Sequence, residues 1–114
     1  MNSKILAGAY KANVTPPLGG CIAGAFNVVR SEDILDQLYV HALVVDDGIT
    51  EVAIISADVC SINRRLAFDR ILPEIEKRCG ISKENIMLAA TLTHSGPVLH
   101  STLPEVFGEP DPIY

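Results

Sequence analysis

His94 is the side chain in this sequence best placed to do chemistry. It follows an apolar run, Ile86–Ala90, and stands in Thr91-Leu92-Thr93-His94-Ser95-Gly96-Pro97. An imidazole just past a strand end can serve as a general base, a metal ligand or a polar anchor. Thr91, Thr93 and Ser95 supply hydroxyls that can orient it, and Gly96-Pro97 breaks the chain direction. Thr93, Ser95 and Gly96 are therefore expected to line whatever site His94 serves. Ser95 is not read as a nucleophile, because Thr-His-Ser-Gly-Pro lacks the Gly-x-Ser-x-Gly turn that exposes a serine. A lone histidine also suits a structural role, and spacing alone leaves that reading open.

Asp58 is the second candidate. It follows the apolar run Val52–Ser56. If that run and Ile86–Ala90 are parallel neighbours, Asp58 and His94 leave the same sheet edge. A carboxylate beside a histidine fixes its tautomer and raises its basicity. The other reading is that Asp58 starts a turn or caps a helix. His41 falls inside a strand pattern and reads as a satisfied strand residue. His100 falls in a proline-rich tail. No two histidines stand four residues apart, so spacing gives no zinc motif. Cys21, Cys60 and Cys79 are an odd number without ligand-like spacing, and read as reduced, packed thiols.

The elements that must position these residues follow from pattern. Ile5–Val14 reads as an edge strand stopped by Pro16-Pro17, since proline cannot donate to a ladder. Pro16–Gly24 is glycine-rich, and reads either as a site-lining loop, with Gly24 allowing close approach, or as a tight connection. Leu38–Val45 and Glu51–Ser56 flank Asp47-Gly48, a strong hairpin signal. The second of these strands is apolar on both faces, which predicts a central position. Asn63–Cys79 carries a helical stripe of Leu66, Ile71, Leu72, Ile75 and Cys79. Ser61 or Asn63 can cap its start and Gly80 its end, while Pro73 either kinks it or opens a second segment. Strand, helix, strand predicts a right-handed crossover with Val52–Ser56 parallel to Ile86–Ala90.

The fold class is thus α/β: a mixed sheet with a β-hairpin followed by a right-handed βαβ crossover. After Pro97 no periodic segment follows, and the tail ends at Asp111-Pro112-Ile113-Tyr114 without a closing helix or strand. So few elements cannot cover both faces of a sheet. Residues 1–114 therefore read as a single, partial domain, the front part of a larger one.

Composition narrows the function. With 9 Lys and Arg against 14 Asp and Glu, the net charge is −5, which argues against a nucleic-acid partner. No apolar run approaches the ~20 residues of a membrane helix. Met1–Gly8 lacks the apolar core of a signal peptide, which predicts a cytoplasmic chain. Uncovered sheet edges predict self-association.

Several ordered segments resemble the neutral/alkaline (non-lysosomal) ceramidases and their bacterial relatives. Ala7-Gly8-Ala9-Tyr10-Lys11-Ala12-Asn13-Val14-Thr15-Pro16-Pro17 is similar to the family's opening segment, with Asn13 where aspartate is usual. Ile22-Ala23-Gly24-Ala25-Phe26 is similar to its Met-Met-Gly-Tyr segment, and Asp36–Val45 to the strand that follows. Ile55-Ser56-Ala57-Asp58 resembles its Ser-x-Asp turn, and Gly80–Pro97 the stretch ending in Ala-Thr-His-Thr-His-Ser-Gly-Pro. The resemblance implies a zinc-dependent amidohydrolase acting on ceramide or another N-acyl amide, a lipid-like substrate. It implies a zinc-binding first histidine and an active-site second one in the His-Thr-His motif. The second falls on His94 and the first on Leu92, which cannot bind a metal. The expectation is a ceramidase-like fold with no metal ligands of its own and no activity as this chain. The alternative is a non-catalytic binding or interaction protein on the same fold.

Overall fold

Prolines, turn residues and caps set the boundaries of each element. The computed structural model describes residues 4–101 and 103–110. β1, Leu6–Asn13, ends just before Pro16-Pro17. β2, Tyr39–Asp46, and β3, Glu51–Ala57, form the hairpin expected around Asp47-Gly48. Asp47 Oδ1 accepts the backbone N–H groups of Thr50 at 2.7 Å and Ile49 at 2.9 Å. These bonds, Thr50's first, hold the Asp47 carboxyl below the usual carboxylate range. Gly48 takes a φ of +88°, which the turn requires and a β-carbon would resist.

The crossover that follows is one helical run in three parts. α1, Arg64–Leu66, is capped by Asn63, whose Oδ1 accepts the Leu66 N–H at 2.7 Å. A π-helical turn, Ala67–Ile71, comes next, and α2, Leu72–Cys79, completes the run. The π turn has a local cause. Pro73 has no N–H to offer one turn back, and the Leu72 N–H reaches Ala67 O instead. Pro73 thus opens a second segment without ending the helix. Gly80 closes it in the left-handed conformation, with φ 73°. Cys79, read from sequence as a packed thiol, is exposed on the last helical residue, whereas Cys21 is buried.

β4, Ile86–Ala90, pairs parallel to β3, giving the sheet order β1-β2-β3-β4. β1 lies at the edge and β3 inside, as their patterns imply. Leu99 apart, one face of the sheet is served by the helix: Val40, Ala42, Ile55 and Leu88 line a cleft with Ile71 and Ile75. The opposite face carries Leu43, Ile54 and Met87 and is open. β3 is therefore interior in the sheet but covered on one side only. The tail is not wholly irregular, since α3, Pro104–Phe107, forms one helical turn begun by Pro104. Residues 1–3 of the Met1–Gly8 segment, and the chain end, 111–114, lie outside the described residues. Among the described residues, no helix is long and apolar enough to cross a membrane.

Candidate functional site

The end of β2 at Tyr39, the end of β3 at Ala57 and the end of β4 at Ala90 fall on one sheet edge. Parallel pairing continues past the strands: the Thr91 N–H donates to Ala57 O at 3.0 Å, and the Leu92 N–H to Val59 O at 3.1 Å. At Leu92 the backbone then turns left-handed, with φ 64°, although leucine resists that region. Its side chain stands 63% exposed. No residue type marks this turn, since glycine or asparagine is the usual occupant.

Beyond it the chain folds back. Thr93 Oγ1 accepts the Ser95 N–H at 3.2 Å. The segment Cys21–Gly24 then locks onto the turn. Ile22 bridges Pro97, the Ala23 N–H donates to Gly96 O at 2.9 Å, and the Val98 N–H donates to Cys21 O at 3.2 Å. These ties set Gly24, at φ +93°, directly against His94. His94 itself is exposed.

Asp58 is placed differently from the sequence expectation. Its N–H donates to Tyr39 O and its Oδ2 accepts the Tyr39 N–H, both at 2.9 Å. The carboxylate extends the β2–β3 pairing by one rung, and no hydrogen bond joins it to His94. The Asp58 carbonyl does approach the turn, lying 3.3 Å from where a β-carbon on Gly96 would stand. The structure thus brings Gly24 to His94, and holds Asp58 on Tyr39. We expect Asp58→Ala to leave the half-buried Tyr39 N–H without a partner. Hydrogen exchange at that amide should quicken by about tenfold or more. Unchanged exchange would mean that the carboxylate does not hold the edge.

The loop 14–38 forms the other wall of the site. Thr15 Oγ1 donates to Gln37 Oε1 at 2.9 Å and accepts the Leu38 N–H at 2.8 Å. Asn13 supports it through both ends of its amide: Oδ1 accepts the Thr15 N–H and Nδ2 donates to Gln37 Oε1, each at 2.9 Å. A carboxylate could not make the second bond. Between this loop and the turn lies a cleft of about 520 Å³. Its apolar lining includes Leu18, Ile34 and Leu35; Thr93, Ser95 and Gly96 line the opposite side, while His94, Gly24 and Asp58 do not line it. The apolar wall came from Leu18, Ile34 and Leu35, residues with no periodicity to mark them in sequence.

Among the described residues no three His, Cys, Asp or Glu side chains converge, and the position next but one before His94 is Leu92.

No family model matches the chain. Among solved structures, it is similar to the neutral ceramidase of Pseudomonas aeruginosa, at 24% identity and TM-score 0.74, over 86% of this chain and 16% of that one. It is also similar to a ceramidase complexed with C2, at 23% identity and TM-score 0.67, over 85% of this chain and 16% of that one. The chain thus spans about 16% of the length of these structures. Its fold is that of the ceramidase segment on which it superposes.

Proposed function

We propose that this chain forms one wall of a ceramidase-like site that takes an N-acyl amide lipid. The reading is supported chiefly by the likeness to neutral ceramidases over 86% of this chain, together with the cleft beside the turn that carries His94. The cleft offers an apolar side for an acyl chain, in Leu18, Ile34 and Leu35. It offers a hydroxyl for an amide or alcohol, in Ser95. His94, in the chain between the lining residues Thr93 and Ser95, is the group that could exchange a proton with the amide. Zinc-dependent hydrolysis would need more ligands than the described residues bring together.

A second reading, a non-catalytic binding protein on the same fold, is favoured by Leu92 alone. Both readings require the cleft to hold lipid. A fluorescent short-chain N-acyl amino alcohol, titrated below its micelle concentration, should bind saturably. Leu35→Asp should weaken binding by about tenfold, the order expected for losing one buried leucine contact of ~1.5 kcal/mol. Leu35 is 93% exposed, so its replacement spares the fold. Non-saturable binding, or binding indifferent to Leu35, would overturn the proposal.

A further inference from the structure

The open face of the sheet carries a polar row beside an apolar one. Side chains directly opposite on neighbouring strands share a face, with β-carbons about 5 Å apart. Lys11 stands opposite His41, and His41 opposite Ser56. In the next row Ala9 stands opposite Leu43, Leu43 opposite Ile54 and Ile54 opposite Met87. Lys11, His41 and Ser56 line a hollow of about 540 Å³ together with Leu43 and Ile54. Lys11 and His41 are exposed. Lys11 Nζ lies 4.6 Å from the centre of the Tyr39 ring, and that ring lies 5.9 Å from the imidazole of His41. The strands place no carboxylate on this face. Asp46 and Glu51 alternate to the other one, and Asp58, just beyond β3, is engaged by the Tyr39 N–H. Among the described residues the one salt bridge joins Arg78 to Glu74, so the Lys11 charge is unpaired there.

We propose that this open face binds a monomeric fatty-acid anion, with its carboxylate at Lys11, His41 and Ser56 and its chain across Leu43, Ile54 and Met87. The occupant has to bring an anion for the Lys11 ammonium and hydrocarbon for the row beside it. A second copy laid on this face brings no anion, and would bury two ammonium groups unpaired. A neutral acyl lipid leaves Lys11 unanswered. A fatty carboxylate accepts from the Lys11 ammonium, the His41 ring N–H and the Ser56 hydroxyl, while its chain covers the apolar row. The face is separate from the cleft that holds Leu35, and the inference does not rest on what that cleft binds.

The probe is dodecanoate carrying ¹³C at its carboxyl, titrated into the full chain below its micelle concentration. It should bind saturably and shift its carboxyl resonance, and dodecanol of the same chain length should bind about tenfold more weakly, the order expected for a charge-assisted hydrogen bond. Lys11→Gln should bring dodecanoate down to the level of dodecanol. Lys11→Glu should lose dodecanoate and gain dodecyltrimethylammonium. Leu35→Asp, on the far cleft, should leave dodecanoate binding as in the wild type. Equal wild-type affinities for dodecanoate and dodecanol would overturn the proposal, and that comparison needs no variant. So would a loss of dodecanoate in Leu35→Asp with none in Lys11→Gln, which would put the anion in the cleft. Binding to phosphatidylglycerol vesicles without binding to monomeric dodecanoate would also overturn it, in favour of a membrane surface. A chain that takes dodecanoate at Lys11 but no N-acyl amino alcohol would uphold this site and sink the cleft reading alone.

Discussion

Dialysed against zinc and then washed, the full chain is expected to retain far less than one zinc per molecule, and to release no fatty acid from ceramide. A single imidazole holds zinc weakly in water. A hydrolytic site needs about three preorganised protein ligands and an open position. Here leucine stands at position 92, where the resemblance to ceramidases would place a histidine, and no three donors converge among the described residues. Leu92→His sharpens the test. Histidine enters the left-handed region more readily than leucine, so the φ of 64° is no obstacle to the change. The variant should still gain little zinc, because one added imidazole makes two ligands at best. Stoichiometric zinc on the wild type would refute the expectation. Tight zinc on the variant alone would show that the remaining ligands already lie within these 114 residues.

The second expected result is that the chain on its own associates, and melts without a sharp cooperative transition as a monomer. Its buried hydrophobic residues, among those described, are Cys21, Ala53, Ala57, Val59, Leu72, Ile81 and Val98, a set without an aromatic side chain. Leu6, Met87 and Leu35 are 64%, 61% and 93% exposed, on the edge strand, the open face and the cleft loop. The radius of gyration is 16.5 Å, against about 13 Å for a compact domain of this length. So much apolar surface in water, with both sheet edges unpaired among the described residues, drives chains together. Size-exclusion chromatography with light scattering should show oligomers or aggregates, and a hydrophobic dye should bind strongly before heating. A monodisperse monomer with a steep melting curve and no dye binding would contradict this.

The architecture was largely legible in the sequence because its signals are local. Asp47-Gly48 fixes the hairpin whatever surrounds it, since a tight turn of that geometry needs φ above zero at glycine. Pro16-Pro17 ends β1, and Asn63 and Gly80 bound the helix, through backbone groups within a few residues of each. The apolar runs of β3 and β4, with a helix between them, leave parallel pairing as the economical arrangement. The resemblance to ceramidases was likewise carried by short ordered motifs, and the superposition agrees with it at the level of fold.

The site was legible only in part, because its geometry depends on contacts between distant segments. The sequence by itself determined that His94 follows a strand on the sheet's carboxyl edge, and that leucine stands two residues before it. Only the tertiary structure decided what those residues meet. Asp58 satisfies the Tyr39 N–H because the hairpin brings that orphan donor beside it, and a backbone donor at a strand end must find an acceptor. Gly24 rather than Asp58 meets His94, because the Cys21–Gly24 segment pairs with Gly96–Val98 across the loop. The left-handed turn at Leu92 is imposed by pairing with Val59 and overrides the residue's own preference. Local propensity encodes elements, whereas long-range backbone pairing chooses which side chains share a site.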